Sequence, residues 1–342
     1  MVLIVKALVY TQPHRVELQE LPDPSIKPEE VLIRVRAVGI CGSDLDGFLG
    51  KSKKRIPPLV LGHEFSGEIV EIGRGVSAFR AGEAVAVYPL VSCGECDYCR
   101  THRYHICPRR KVFGLDFHGG LSEYVSVPQQ CLFRIPSGLS FLEGTLIEPL
   151  ANAVHVLAKC PSVPGQTGLV YGVGHIGVLV YLAARHSGAR LVAVVDRNPR
   201  RLAILKSLGA NLVVDSSEQN PVEAILAWTE GRGVDFSVDA VGHSMCRQNA
   251  IACTAAGGTV IWIGLAGDVC EIDGRAVVTR EVEIKGSYAY GRKDFARAIS
   301  LLEQGLLPLK PLVTEAKMEQ GQQVFEDLVS ANTSLMKVIF VI

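Results

Sequence analysis

Cys93-Gly-Glu-Cys96-Asp-Tyr-Cys99, followed by Cys107, is C-x2-C-x2-C-x7-C. Gaps this short let four sulfurs converge on one ion, and four thiolates make a closed tetrahedral Zn2+ site. A closed site offers no position to water or substrate, so it is structural and the chemistry must lie elsewhere. A second constellation lies upstream and downstream of it. Cys41 sits in Gly39-Ile-Cys41-Gly42-Ser43-Asp44, His63 and Glu64 in Leu61-Gly62-His63-Glu64, and Glu148 in Ile147-Glu148-Pro149-Leu150. A thiolate, an imidazole and a carboxylate suit a catalytic zinc, which keeps three protein ligands and one open position. Each residue alone has a bland reading as core thiol, turn histidine or loop carboxylate. Together they have a single economical one.

A third pattern, Gly172-Val-Gly174-His175-Ile176-Gly177, is G-x-G-x-x-G between a predicted strand and a predicted helix. Gly172 permits the tight turn, Gly174 lets backbone approach a pyrophosphate, and Gly177 allows close helix–strand packing. The pyrophosphate would rest on the helix N-terminus, where unpaired N–H groups favour an anion. Asp196 ends the next predicted strand, nineteen residues after Gly177, where an acid bonds the adenosine ribose hydroxyls. A 2′-phosphate would meet that carboxylate, so NAD is expected over NADP. Arg197 and Arg201 are the residues able to take the phosphate if Asp196 turned aside. Gly242 and Gly264 sit at later strand ends and are expected to line the nicotinamide pocket.

Two kinds of periodicity position these groups. Residues 1 to about 145 read as short period-two strands broken by Gly and Pro, at 31–38, 67–73, 85–87 and 122–127. After Pro149 short apolar strands at 169–171, 191–195, 212–214, 236–238 and 259–263 alternate with helices, which predicts a parallel, doubly wound sheet. A helix over 293–304 and a strand over 337–341 then return to the first domain. The expected domains are 1–148 with 288–342, carrying the cysteine lobe at about 90–110, and 149–287.

Thirty-five basic residues balance thirty-five acidic ones, which leaves no electrostatic footprint for a nucleic acid. No apolar run reaches membrane-spanning length, and the N-terminal Met1-Val-Leu-Ile-Val-Lys6 reads as a strand rather than a signal segment. Ten cysteines at metal-ligand or core spacing fit a reducing cytoplasm. Strands at 259–263 and 282–286 could leave an open sheet edge, and pairing across a two-fold would cover it.

Gly-His-Glu, Cys-Gly-Ser-Asp, the cysteine lobe, Glu-Pro-Leu-Ala and Gly-Val-Gly-His-Ile-Gly occur together in this one chain. In their order and spacing the chain resembles the zinc-dependent medium-chain alcohol dehydrogenases, nearest the polyol (sorbitol-type) and threonine branch. The resemblance implies a β-rich GroES-like catalytic domain, a Rossmann domain, two zincs, NAD, and a homodimer or homotetramer. It implies that Cys41 and His63 bind the catalytic zinc and that Glu64 and Glu148 compete for the remaining places. Ser43 matches the hydroxyl that touches the substrate alcohol and starts proton transfer.

The pattern breaks in two places. Where many relatives carry a relay histidine five residues after the metal cysteine, this chain has Asp46, whose usual pKa of about 3.9 suits a relay only if burial raises it. Where sorbitol-type enzymes carry Arg-Tyr, Ala289-Tyr290 keeps the tyrosine alone, so the substrate need not be sorbitol. Phe48, His118 and Tyr290 are the candidate substrate contacts, with Arg292 a candidate replacement for the missing arginine. The expected reaction is oxidation of a polar alcohol (a polyol, sugar alcohol or its phosphate, or cyclitol) to the ketone or aldehyde. An amino-alcohol, threonine-type dehydrogenase is the alternative; a non-catalytic cofactor-binding relative is a second, from another class.

Overall fold

The computed structural model describes residues 4–330 and 335–342, so Met1 to Leu3 of the N-terminal stretch lie outside the described residues. The chain divides into two compact units, Met1–Pro149 with Gly291–Gly305 and Leu312–Ile342, and Leu150–Tyr290 with Leu306–Pro311.

The first unit is organised by the strand Glu30–Gly39. It pairs antiparallel with Glu64–Ile72, Tyr124–Pro128 and Lys337–Val341. Ala84–Val87 and Leu132–Arg134 extend the sheet on one side and Val313–Ala316 on the other. A three-stranded sheet of Arg15–Pro22, Ile4–Gln12 and Leu59–Val60 accompanies it. Val31, Ile33, Val35, Ile69, Val125 and Phe340 are buried in the common core, each contributing about 1.5–3 kcal/mol of burial energy.

The second unit is a six-stranded, wholly parallel sheet in the order Leu212–Asp215, Leu191–Asp196, Thr167–Tyr171, Val234–Asp239, Thr254–Trp262, Glu283–Gly286. Counted along the chain this is 3-2-1-4-5-6, the doubly wound order, whose direction reverses beside Thr167–Tyr171. Every residue of that strand is buried, as a strand covered by helices on both faces must be. Glu283–Gly286 forms one edge and Thr254–Trp262 lies inside.

Glu148 and Pro149, expected at the junction of the two domains, lie inside a 17-residue helix, Phe141–Leu157, along which the first unit ends at Pro149. An internal proline costs a helix about 3 kcal/mol. Burial of Leu146, Ile147, Leu150, Ala151 and Ala153 offsets it. Among the described residues no helix is long and apolar enough to cross a membrane.

Candidate metal and dinucleotide sites

The four lobe cysteines carry their own test. Sγ separations are 3.8 Å for Cys93–Cys99, 3.6 Å for Cys96–Cys99, 3.7 Å for Cys96–Cys107 and 3.5 Å for Cys107–Cys93. A tetrahedron with Zn–S bonds of about 2.3 Å has edges of about 3.8 Å, whereas a disulfide would bring two sulfurs to about 2.05 Å. The thiols are therefore arrayed for an ion and not for each other. A two-stranded stem, Leu90–Val91 with Lys111–Val112, closes the base of the lobe. Backbone N–H groups of Glu95 and Cys96 draw the Cys93 thiol down to about 6, which favours the thiolate that a metal needs.

Sheet register assembles the second cluster. Gly39 pairs with Glu64, so Cys41, two residues past one strand, meets His63, one residue before the other. Cys41, His63 and Glu64 each offer a ligand atom, all within 4.8 Å of one another. Gly62 makes the approach possible at φ 90°, and a Cβ there would lie 2.7 Å from Val38 Cγ1. Gly39 is required for another reason: its Cβ would stand 2.4 Å from Glu64 Oε2. Glu148 is buried but does not belong to this cluster.

Three residues around this cluster escape a reading of the sequence. Asp44, wholly buried, places Oδ1 3.4 Å from His63 Nδ1 and accepts the Cys41 N–H at 3.1 Å. A carboxylate facing Nδ1 favours the tautomer that leaves Nε2 for a metal. Burial works against the Asp44 charge, but the His63 ring, the Arg55 guanidinium and the Cys41 N–H outweigh it and hold the carboxyl well below the usual range. Arg55, only 8% exposed, donates to Ser43 Oγ at 3.0 Å and to the Gly114 carbonyl at 3.1 Å. Its stem occupies the space where Gly47 has no side chain. Lys337 donates to the Ile40 carbonyl at 2.9 Å and ion-pairs with Glu64. The signal for Asp44 is its spacing, i+3 from Cys41 at a helix start; Arg55 and Lys337 leave none.

Phe48 is 1% exposed and packs on Phe325 at 5.2 Å and His14 at 5.7 Å. It packs in the core because the helix Gly42–Phe48 buries Asp44, Gly47 and Phe48 on its inner face. His118 lines a cavity of about 550 Å3 with Phe113 and Phe117, which none of Cys41, Ser43 or His63 lines. Its Nδ1 accepts the Val60 N–H at 3.1 Å. Tyr290 is fully buried, and Arg292 stacks over Phe133 and Tyr88 and bonds the Gln130 carbonyl. Asp46 is exposed on the helix that carries Ser43.

The glycine loop behaves as a phosphate cradle must. Gly172 has φ 82°, and a Cβ there would lie 2.3 Å from Val241 Cγ2. At Gly177 a Cβ would meet the Gly172 carbonyl at 1.8 Å. Gly174 is different: the nearest atom to its missing Cβ is Arg201 Nη1, 3.8 Å away, so the loop is open there. Gly174 caps the 12-residue helix His175–His186, and Gly174, His175 and Ile176 remain partly exposed at its N-terminus. Asp196 accepts the Val173 N–H at 2.7 Å and those of Arg197 and Asn198 at 2.8 and 2.9 Å. That fixes one negative charge beside the loop. Gly242 and Gly264 back onto each other, and a Cβ on Gly264 would lie 2.2 Å from Gly242 N.

Residues 27–137 match the Alcohol dehydrogenase GroES-like domain and residues 172–304 the Zinc-binding dehydrogenase domain. The chain is 34% identical to sorbitol dehydrogenase of Bacillus subtilis over 98% of its own length and 96% of that protein's. It is 35% identical to L-threonine 3-dehydrogenase of Bacillus velezensis, covering 90% and 91%. Its fold superposes on the crystal structure of 2R,3R-butanediol dehydrogenase from Bacillus subtilis with a TM-score of 0.91 at 30% identity, covering 99% of each chain.

Proposed function

The chain belongs to the zinc-binding, GroES-like alcohol dehydrogenases, and on that premise we propose that it oxidises a polar, polyol-like alcohol to its ketone or aldehyde with NAD. The observation that carries this reading is the Cys41–His63–Glu64 cluster, which joins a thiolate, an imidazole and a carboxylate in a chain that also bears an open glycine loop. The unit that carries Cys41 serves as the catalytic domain and the unit that carries the glycine loop as the dinucleotide domain.

Cys41, His63 and Glu64 hold the catalytic zinc, which when bound supplies a Lewis acid that lowers the pKa of an alcohol. Asp44 orients the His63 ring through Nδ1, and Lys337 restrains the Glu64 carboxylate. Glu148 is kept for a transient or water-mediated role. Ser43 takes the alcohol proton. Its Oγ already accepts from Arg55, which leaves one lone pair to receive a proton and one O–H to pass on. Asp46, exposed on the same helix, takes that proton on toward solvent. The loop Gly172–Gly177 and the helix after it hold the pyrophosphate of NAD, which when bound supplies the hydride acceptor. The Asp196 charge disfavours a 2′-phosphate, while Arg197 and Arg201 remain beside it.

A threonine-type amino alcohol is the second reading, favoured by the similarity to a threonine dehydrogenase. A screen of polyols, sugar phosphates, cyclitols and amino alcohols, followed by NADH absorbance, separates the two. Turnover confined to amino alcohols replaces the first reading with the second, and no turnover of any alcohol overturns both. The edge strand Glu283–Gly286, with exposed Val278 nearby, supports a homodimer or a tetramer built from it. A monomer in analytical ultracentrifugation would dismiss that assembly.

A further inference from the structure

Arg247 is buried in the second unit, 8% exposed, in a helix whose other inward residues, Ala250, Ile251 and Cys253, are apolar or nearly so. A buried guanidinium must be paired on every side or it costs several kcal/mol. Its partners are specific. Nη2 donates to the Gly264 carbonyl at 3.1 Å and Nη1 to the Gly267 carbonyl at 3.4 Å. Nε lies 3.5 Å from Asp239 Oδ2, and the plane stacks over Trp262 at 4.9 Å. Asp239 is itself fully buried, and its Oδ1 accepts the N–H groups of Val241 and Gly242, each at 3.0 Å.

These contacts reinforce a thin junction between two loops, which also share the bond from the Ala266 N–H to the Val241 carbonyl at 3.2 Å. Residues 240–242 leave the C-terminal end of Val234–Asp239, and residues 263–267 leave that of Thr254–Trp262. Ligands of doubly wound sheets bind outside those strand ends. Gly242 and Gly264 carry no side chain, so their backbones can touch, and glycine loops of that kind are loose unless something anchors their carbonyls. Arg247 anchors one loop directly and the other through Asp239.

We propose that Arg247 is a positioning residue for the cofactor: with Asp239 and Trp262 it clamps the 240–242 and 263–267 loops in the geometry that receives the nicotinamide half of NAD. This rests on the dinucleotide reading above. Lysine cannot replace it, because only a planar fork spans two carbonyls and a carboxylate at once.

The test uses the intact, zinc-loaded protein. NADH is titrated while energy transfer from tryptophan is followed; the chain has two tryptophans, and Trp262 lies under the clamp. Arg247→Lys is expected to raise the NADH Kd about fivefold and Arg247→Met about twentyfold, with kcat at saturating NAD within about twofold of the parent. Trp262→Phe, which removes the indole but keeps the ion pair, is expected to raise Kd only about twofold. A merely structural arginine would lower Tm in all three variants and leave the Kd measured well below Tm unchanged, and that result overturns the proposal. If Arg247→Met does not fold, the Arg247→Lys Kd decides alone. A parent protein that binds no NADH overturns the dinucleotide reading instead, before any variant is compared.

Discussion

Two thiol-bearing clusters stand in one unit and are built in opposite ways. The lobe draws four identical ligands from positions 93 to 107, folded back on a two-stranded stem. The Cys41 cluster draws three different ligands from two strand ends brought together by register, and its Glu64 is held by a lysine 273 residues later. A local knuckle makes a closed and symmetrical cage. A cluster made by long-range pairing has mixed side chains and supporting residues around it: Asp44 beside His63, Arg55 behind Asp44 and Ser43, and Lys337 on Glu64. Closure is stability; incompleteness, propped from behind, is reactivity.

The largest test of this contrast is Cys41→Ser. It should lower kcat/KM about a thousandfold, on the order of the several kcal/mol a Lewis acid contributes. Zinc should fall from two per chain to one, with Tm shifted by only a few degrees. Full activity in that variant would erase the distinction. Asp44→Asn comes next: with a neutral oxygen facing His63, metal affinity or turnover should fall about 10- to 100-fold, read by competition with a chelator and by kcat. If the Asp44→Asn variant matches the parent in both, the support is not working through the ring. Cys96→Ser should lose the other zinc and about 10 °C of Tm, a few kcal/mol for a domain of this size. Turnover measured below the new Tm should fall only a few-fold. A lobe variant that kept its Tm but lost turnover would reverse the two roles. Smallest is Asp196→Ala, which should raise the ratio of NADP to NAD use about tenfold, leaving Arg197 and Arg201 to meet the phosphate.

The same contrast explains what can be read from the chain. The lobe and the glycine loop are local, so spacing alone exposes them. The alternation of strands and helices after residue 165 is equally legible because its central strands are buried nearly along their length. The supports of the Cys41 cluster are not. Lys337 sits in an apolar strand, Lys337–Val341, and reads as an ordinary strand start until Glu64 is found two strands away. Arg55 lies in a run with Lys51, Lys53 and Lys54 that looks like solvated charge. Phe48 reads as a pocket wall because it follows the metal loop, yet the i, i+3, i+4 set Asp44, Gly47, Phe48 already marks an inward face. Aromatic character near a site is a weaker guide than helical phase.

The bare α-carbon of Gly39, crossed by the Glu64 side chain with Lys337 behind it, has a consequence for how the protein is made. Glu64 leaves the ribosome 273 residues ahead of the ammonium that neutralises it, so for most of synthesis its carboxylate has no reason to stay out of water. At about 5–20 residues per second that interval is roughly 14 to 55 seconds. The central strand Glu30–Gly39 also lacks one neighbour until Lys337–Val341 arrives to pair with it. The nascent chain can finish its cysteine lobe and its parallel sheet early, while the Cys41 cluster is sealed last.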